Sequence, residues 1–158
     1  MGFLAVVITV SDRSAAGQRP DAAGPVAVAA LRAAGWECDD ARVVADGADS
    51  VEAALRSAVD EGARLVVTTG GTGVAPRDLT PEGTARVIER EIPGIAEELR
   101  RRSVAEKPGG MLSRGLAGTA GTALIVNLPG SSAAVASGMP VILSVADHVR
   151  EQLDGGDH

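Results

Sequence analysis

Residues 65–73 read LVVTTGGTG: Leu65, Val66, Val67, Thr68 and Thr69 run straight into Gly70, Gly71, Thr72 and Gly73. The first five are apolar or β-branched, which fits a strand covered on both faces, as in a parallel sheet. The glycines that follow make a loop whose backbone N–H groups can approach an anion closely. The same arrangement occurs twice more. Phe3 to Val10 (FLAVVITV) opens into Ser11 and Asp12, and Ala123 to Leu128 (ALIVNL) opens into Pro129, Gly130 and Ser131. In open α/β sheets the ligand crevice lies beyond the carboxyl ends of the strands. The three loops are therefore expected to converge into an anion site lined by Ser11, Thr69, Gly70, Gly71, Thr72, Gly73, Asn127, Pro129, Gly130 and Ser131. Ordinary strand-to-helix turns use the same small residues for backbone reasons alone, so each loop taken singly reads either way.

Helical patterns fill the spaces between these strands. One runs from about Asp21 or Gly24 to Ala34, with Pro25 in its first turn and Gly35 just past its end. Glu37 to Val44 reads as a further strand. A helix capped by Asp49 or Ser50 repeats Val51, Leu55 and Val59 and stops at Gly62. Thr80-Pro81-Glu82 starts another, with Val87 and Ile88 on its apolar face, and Pro93-Gly94 breaks it. Ile95 to Val104 reads as helix, 108–110 as loop and 116–119 as a short strand turned at Ala120-Gly121. Ser131 or Ser132 caps the next helix, Pro140 restarts a last one toward Glu151, and residues 152–158 fray. Strands alternating with helices imply βαβ crossovers: a single α/β domain over 1–158, with a mostly parallel sheet and helices on both sides.

Composition narrows the function. With 158 residues and 15.9 kDa the chain is the size of one domain with a substantial core. Fifteen Lys and Arg against 21 Asp and Glu give −6, which argues against a general nucleic-acid binder. Aromatics are 1%, so stacking platforms for bases are nearly absent and the core must be aliphatic. Cys38 alone permits neither an internal disulfide nor a multi-cysteine zinc site. Lys107, the single lysine, stands in Glu-Lys-Pro-Gly, so there is no Walker A loop. No run of 18 apolar residues and no charged leader region occur, and the sequence reads as cytoplasmic, with no membrane partner.

Two acids stand near the expected anion site. Asp78 lies in Pro76-Arg77-Asp78-Leu79-Thr80-Pro81, just before a helix, and Asp46 follows the strand at 37–44. A carboxylate pair beside a phosphate loop suits hydrated Mg²⁺, which takes one or two protein oxygens plus phosphate oxygens. Equally, Asp78 fits a helix-terminal acid and Asp46 an ordinary Asp-Gly turn. Arg77 suits either a phosphate or solvent. Arg100, Arg101 and Arg102 suit a solvated helix face.

With these residues in view, the chain resembles the MogA/MoaB family of molybdenum cofactor biosynthesis. The landmarks come in order along nearly the whole chain: Val10-Ser11-Asp12, Asp21 with Gly24-Pro25, Thr69 to Gly73, Arg77 to Glu82, Glu91 to Gly94, Leu112-Ser113-Arg114 and Asn127 to Gly130. The resemblance implies a three-layer α/β/α sandwich, a homotrimer, and adenylyl transfer from Mg-ATP to molybdopterin, giving adenylyl-molybdopterin and pyrophosphate. It also implies a MoeA-type insertase as the consumer of that product. The family's essential acids fall on Asp46 and Asp78, as catalytic and Mg²⁺-holding residues, and a pterin-side serine falls on Ser103. Ala45 stands where the family often has Pro, which leaves Asp49 as the rival of Asp46. Ala23 stands where a serine often precedes Gly-Pro. A MoaB-like trimer that binds molybdopterin without turnover is the alternative.

Overall fold

A seven-stranded sheet runs through residues 2–156, which the computed structural model describes. Its strands are β1 (Leu4–Val10), β2 (Glu37–Cys38), β3 (Arg42–Val44), β4 (Leu65–Thr69), β5 (Arg90–Glu91), β6 (Ala117–Ala120) and β7 (Ala123–Leu128). The order is β2-β1-β4-β7-β6-β5, with β3 continuing beside β1 beyond β2. Pairings among β1, β2, β3, β4 and β7 are parallel, and those of β5 with β6 and β6 with β7 are antiparallel. The edge members are short: β2 and β5 have two residues each and β3 has three. β1, β4 and β7 are apolar on both faces because both faces are covered, as their unbroken valine, leucine and isoleucine runs require.

Helices α2 (Ala23–Ala33), α5 (Pro93–Glu106) and α6 (Ser132–Leu153) cover one face, where Leu31, Ile95, Met139 and Ile142 meet Val7, Val67 and Val126. On the other face Val51 and Leu55 of α3 (Ala48–Asp60) meet Ile8, Val66 and Ile125. Helix α4 (Thr80–Ala85) packs on α3. The result is the expected α/β/α sandwich. α6 has the length and mean hydropathy, 1.3 over 18 residues, of a membrane-crossing helix. Its apolar side instead packs on α2, α5 and β7.

Several local expectations are corrected. The polar 11–20 segment contains a short helix α1 (Asp12–Ala15), capped by the Ser11 hydroxyl accepting from Ser14 N. Residues 37–44 form two strands, not one. The helix at 48 is capped by Gly47 (φ 133°), with Asp49 and Ser50 inside its first turn. Helix α4 ends at Ala85; Val87 is buried beyond it, and the chain turns into β5. Helix α5 starts at Pro93, which the missing N–H of a first-turn proline permits. Residues 108–112 are a 3-10 turn rather than open loop. Pro140 does not divide α6, because Val135 and Met139 before it and Ile142 and Ala146 after it are all buried in the same core. The helix also persists through Leu153 and is followed by Gly155 (φ 89°); residues 157–158 of the tail lie outside the described part.

Candidate functional site

The strand order reverses at β1. The chain passes from β1 through α2 to β2 and β3 on one side, then crosses to β4 on the other. Ligand crevices open at such switch points, beyond the strands' carboxyl ends. A cleft of about 680 Å³ lies there, within the range of small-molecule sites. Ser11, Thr69, Gly70, Gly71, Thr72, Gly73, Asp46, Asp78, Pro129 and Gly130 all line it.

The loop 70–73 is shaped by close approaches. Gly70 (φ 94°) donates its N–H to Leu128 O at 2.9 Å, and a Cβ there would lie 2.3 Å from Val10 O. Gly71 (φ 69°) would place a Cβ 2.2 Å from Thr80 Oγ1. Thr80 holds the loop from the other side: its hydroxyl donates to Gly70 O and its N–H to Gly71 O. The ends of β1, β4 and β7 thus meet at the one residue type that fits the contact.

The two acids flank this loop. A Cβ on Gly71 would stand 3.2 Å from Asp46 Oδ1, and a Cβ on Gly73 2.9 Å from Asp78 Oδ2. Asp46 Oδ2 accepts from Asp12 N at 2.9 Å, and Asp78 Oδ2 accepts from Ala75 N at 3.0 Å. Asp49, the rival of Asp46, is turned away: it pairs with Arg86 at 2.7 Å and lines no part of the cleft. Asp12 is held below the usual carboxylate range by hydrogen bonds from Arg77. Arg77 is therefore engaged with Asp12, not facing the cleft.

The cleft's lining carries Asp21, Asp46 and Asp78 against one cation, Arg19. A polyphosphate would be repelled by that lining unless a divalent cation came with it. Oxygen donors from two carboxylates beside an amide-rich loop fit Mg²⁺, which prefers few protein ligands and keeps waters and phosphate oxygens. Among the described residues no cluster of three or more His, Cys, Asp or Glu offers a protein-only metal cage. Asp46 and Asp78 are the residues that would hold such an ion.

Three expected residues sit elsewhere. Asn127 is buried under the cleft: Oδ1 accepts from Leu116 N, and Nδ2 donates to Thr68 Oγ1 and Thr84 Oγ1. That network joins β4, β7 and α4, so Asn127→Ala orphans three polar groups. It is expected to cost about 2–3 kcal/mol of stability and to lower Tm by about 5–10 °C, read by thermal melts. Ser131 caps α6, accepting from Ala134 N, and lies off the cleft. Ser103 lies in a narrow crevice that shares Ser113 and Pro129 with the main cleft and has room for about one water, about 10 Å³. A Cβ on Gly110 would lie 2.6 Å from Ser103 Cβ, so the 108–112 turn covers that serine.

Residues that composition and spacing did not single out also shape the site. Asp21 accepts from Thr9 Oγ1 at 2.7 Å and from Gly24 N at 2.9 Å, fixing the start of α2 at the cleft wall. Arg114 clamps the loop: its guanidinium donates to Gly73 O, Asp78 O and Glu82, and its N–H to Thr72 O. That pairing holds the Glu82 carboxyl below its ordinary range. Arg114 was marked by the landmark order alone, since its partners lie far away in the chain, and Asp21 by that order and as a candidate start of α2.

Comparison with known proteins places this geometry. Residues 6–148 match the family described as "Probable molybdopterin binding domain". The chain is 39% identical over 132 residues to the molybdopterin adenylyltransferase of Haemophilus influenzae, covering 82% of this chain and 67% of that one. It is 39% identical over 157 residues to the molybdenum cofactor biosynthesis bifunctional protein of Synechococcus elongatus, covering 99% of this chain and 49% of that protein. The chain thus spans about half the length of that bifunctional relative. The solved structure of MogA superposes with a TM-score of 0.91 at 43% identity, over 94% of this chain and 98% of that one.

Proposed function

The chain belongs to the molybdopterin-binding domain family of molybdenum cofactor biosynthesis, and from that membership we propose that it transfers an adenylyl group from ATP to molybdopterin. The carrying observation is the pair Asp46 and Asp78 set against the Gly70–Gly73 loop at the switch point of the sheet. The terminal phosphate of molybdopterin is already a nucleophile at neutral pH. Its oxygen attacks the α-phosphorus of ATP, one P–O bond forms, the α–β bridge breaks, and pyrophosphate leaves. No strong base is needed, and catalysis rests on positioning and charge neutralisation.

In this reading the N–H groups of Gly71, Thr72 and Gly73 cradle the phosphates, the Gly70 N–H being taken by Leu128 O, and Arg19 adds a fixed positive charge to the lining. Asp46 and Asp78 hold Mg²⁺, which when bound neutralises phosphate charge. Leu112 and Ser113 line the cleft toward the crevice that contains Ser103, and the pterin end lies on that side. We assign the reaction to the cytoplasm, the working form to a homotrimer, and the consumption of the product to a MoeA-type molybdate insertase.

The test is pyrophosphate release from ATP with Mg²⁺ and molybdopterin. Release is expected with all three and absent when molybdopterin is omitted. Binding of molybdopterin with no pyrophosphate under any condition would leave a binding scaffold; turnover of ATP without molybdopterin would make the chain a general nucleotide hydrolase.

A further inference from the structure

Asp46 and Asp78 stand on separate loops, and a single exposed ion pair ties those loops together. Arg77, the chain neighbour of Asp78, reaches across to α1. Its Nε donates to Asp12 Oδ2 at 2.5 Å and its Nη2 to Asp12 Oδ1 at 3.0 Å. The same Nη2 donates to Asp46 O at 2.9 Å. Asp12 and Asp46 then exchange hydrogen bonds: Asp12 N to Asp46 Oδ2 at 2.9 Å, and Asp46 N to Asp12 Oδ1 at 3.1 Å. Asp46 is thereby fixed at its carboxylate, its N–H and its carbonyl by two residues that do not line the cleft.

The pair has little to do for folding. The Arg77 and Asp12 side chains are 64% and 41% exposed, and ion pairs at that exposure add little stability. A two-forked geometry that engages one neighbour three times is better explained by placement. We propose that Asp12 and Arg77 are positioning residues that set the separation and direction of the Asp46 and Asp78 carboxylates. The inference rests on the reading of those carboxylates as the Mg²⁺-holding pair. Mg²⁺ demands near-ideal octahedral geometry, so slack between two loops that share it is costly. Partners one step behind metal ligands change metal affinity by about 10–100-fold when removed.

The experiment compares the full chain with Arg77→Ala, Arg77→Lys and Asp12→Asn. Mn²⁺, as a spectroscopic substitute for Mg²⁺, is titrated by electron paramagnetic resonance in the presence of α,β-methylene-ATP, which cannot transfer its adenylyl group. Arg77→Ala is expected to raise the Mn²⁺ midpoint about 10-fold or more, with Tm within about 2 °C of the parent. Asp12→Asn should do the same. Arg77→Lys should recover only part, because an ammonium cannot make the forked contact. In turnover the loss should fall on kcat and on the Mg²⁺ requirement rather than on KM for ATP.

Unchanged Mn²⁺ midpoints in folded Arg77→Ala and Asp12→Asn would overturn the proposal. So would a parent chain that binds no Mn²⁺ alongside the nucleotide. A fall in Tm with midpoints intact would show a purely structural pair and overturn it too. A parent that binds Mn²⁺ but releases no pyrophosphate defeats the adenylyl-transfer reading instead, and the midpoints still decide the positioning role.

Discussion

Asp78→Asn is expected to slow adenylyl transfer by about 10²–10³ while the folded chain keeps its melting temperature within about 2 °C. The amide oxygen of asparagine can still accept from Ala75 N, the one hydrogen bond the Asp78 carboxylate makes among the described residues. Shape and local turn are therefore kept, and only charge is removed. The same logic covers Asp46→Asn, whose amide oxygen can still accept from Asp12 N. Both losses should deepen at low Mg²⁺, since each variant leaves one carboxylate to hold the ion. Asp49→Asn is the internal control: Asp49 pairs with Arg86 and faces away from the cleft, so its rate should stay within about twofold. Full rates in Asp78→Asn and Asp46→Asn would remove both acids from the chemistry. A loss confined to Asp49→Asn would move the metal-holding role there.

Gly70→Ala is expected to damage fold and site together. The backbone at Gly70 has φ 94°, a region that costs an L residue about 1–2 kcal/mol. Its new Cβ would also lie 2.3 Å from the backbone oxygen of Val10, which sits inside the sheet and has no side-chain rotamer to yield. Overpacking of that kind costs about 1–3 kcal/mol more. A total of about 2–5 kcal/mol lowers Tm by roughly 5–15 °C, and the loop relieves the clash by moving off β1, away from Asp46. Turnover per folded molecule should therefore fall as well, by about 10²-fold for a displacement near 1 Å. Gly62→Ala separates strain from site. Gly62 also has positive φ (93°), but its Cβ would meet nothing within 4 Å and it lies at the far end of α3. It should lose stability alone. Melts and pyrophosphate assays on both variants decide the matter, and an active, fully stable Gly70→Ala would show that the loop does not need its close seat on β1.

The parts of the molecule written in unbroken β-branched runs could be read directly. Phe3 to Val10, Leu65 to Thr69 and Ala123 to Leu128 each have composition and length that only a doubly covered strand satisfies, and the helices between them follow from period and caps. The short strand at 116–119 was legible as β6, but β5 and α1 were not. Strand β5 is Arg90-Glu91, both exposed, and it exists because β6 offers it a partner, not because its residues prefer extension. Helix α1 carries no buried residue and owes its form to the Ser11 cap. Pro140 misled in the opposite direction, since a local penalty is outweighed by burial on both sides of it. In the site, the loops could be placed because they follow strands, whereas Asp46 and Asp78 read equally as a turn residue and a helix-terminal acid until the family landmarks singled them out. Arg114 and Asp12 could not, because their roles depend on partners brought near by the fold. Asn127 stands at the right strand end but points inward, a distinction that no local pattern records.

The short borders of the sheet have a consequence of their own. An aliphatic sheet with open margins invites neighbouring molecules to add strands and grow into insoluble ribbons. Here one border is β2, exposed at Glu37, and the three-residue β3, exposed at Val43, and on the other side β5 offers only Arg90 and Glu91 before Pro93, which has no N–H to donate. A passing chain finds too few free N–H and C=O groups on either margin to register against, and charge where it would need apolar contact. A protein with so few aromatics and so many valines can therefore be concentrated without its most sticky layer ever being offered to a stranger.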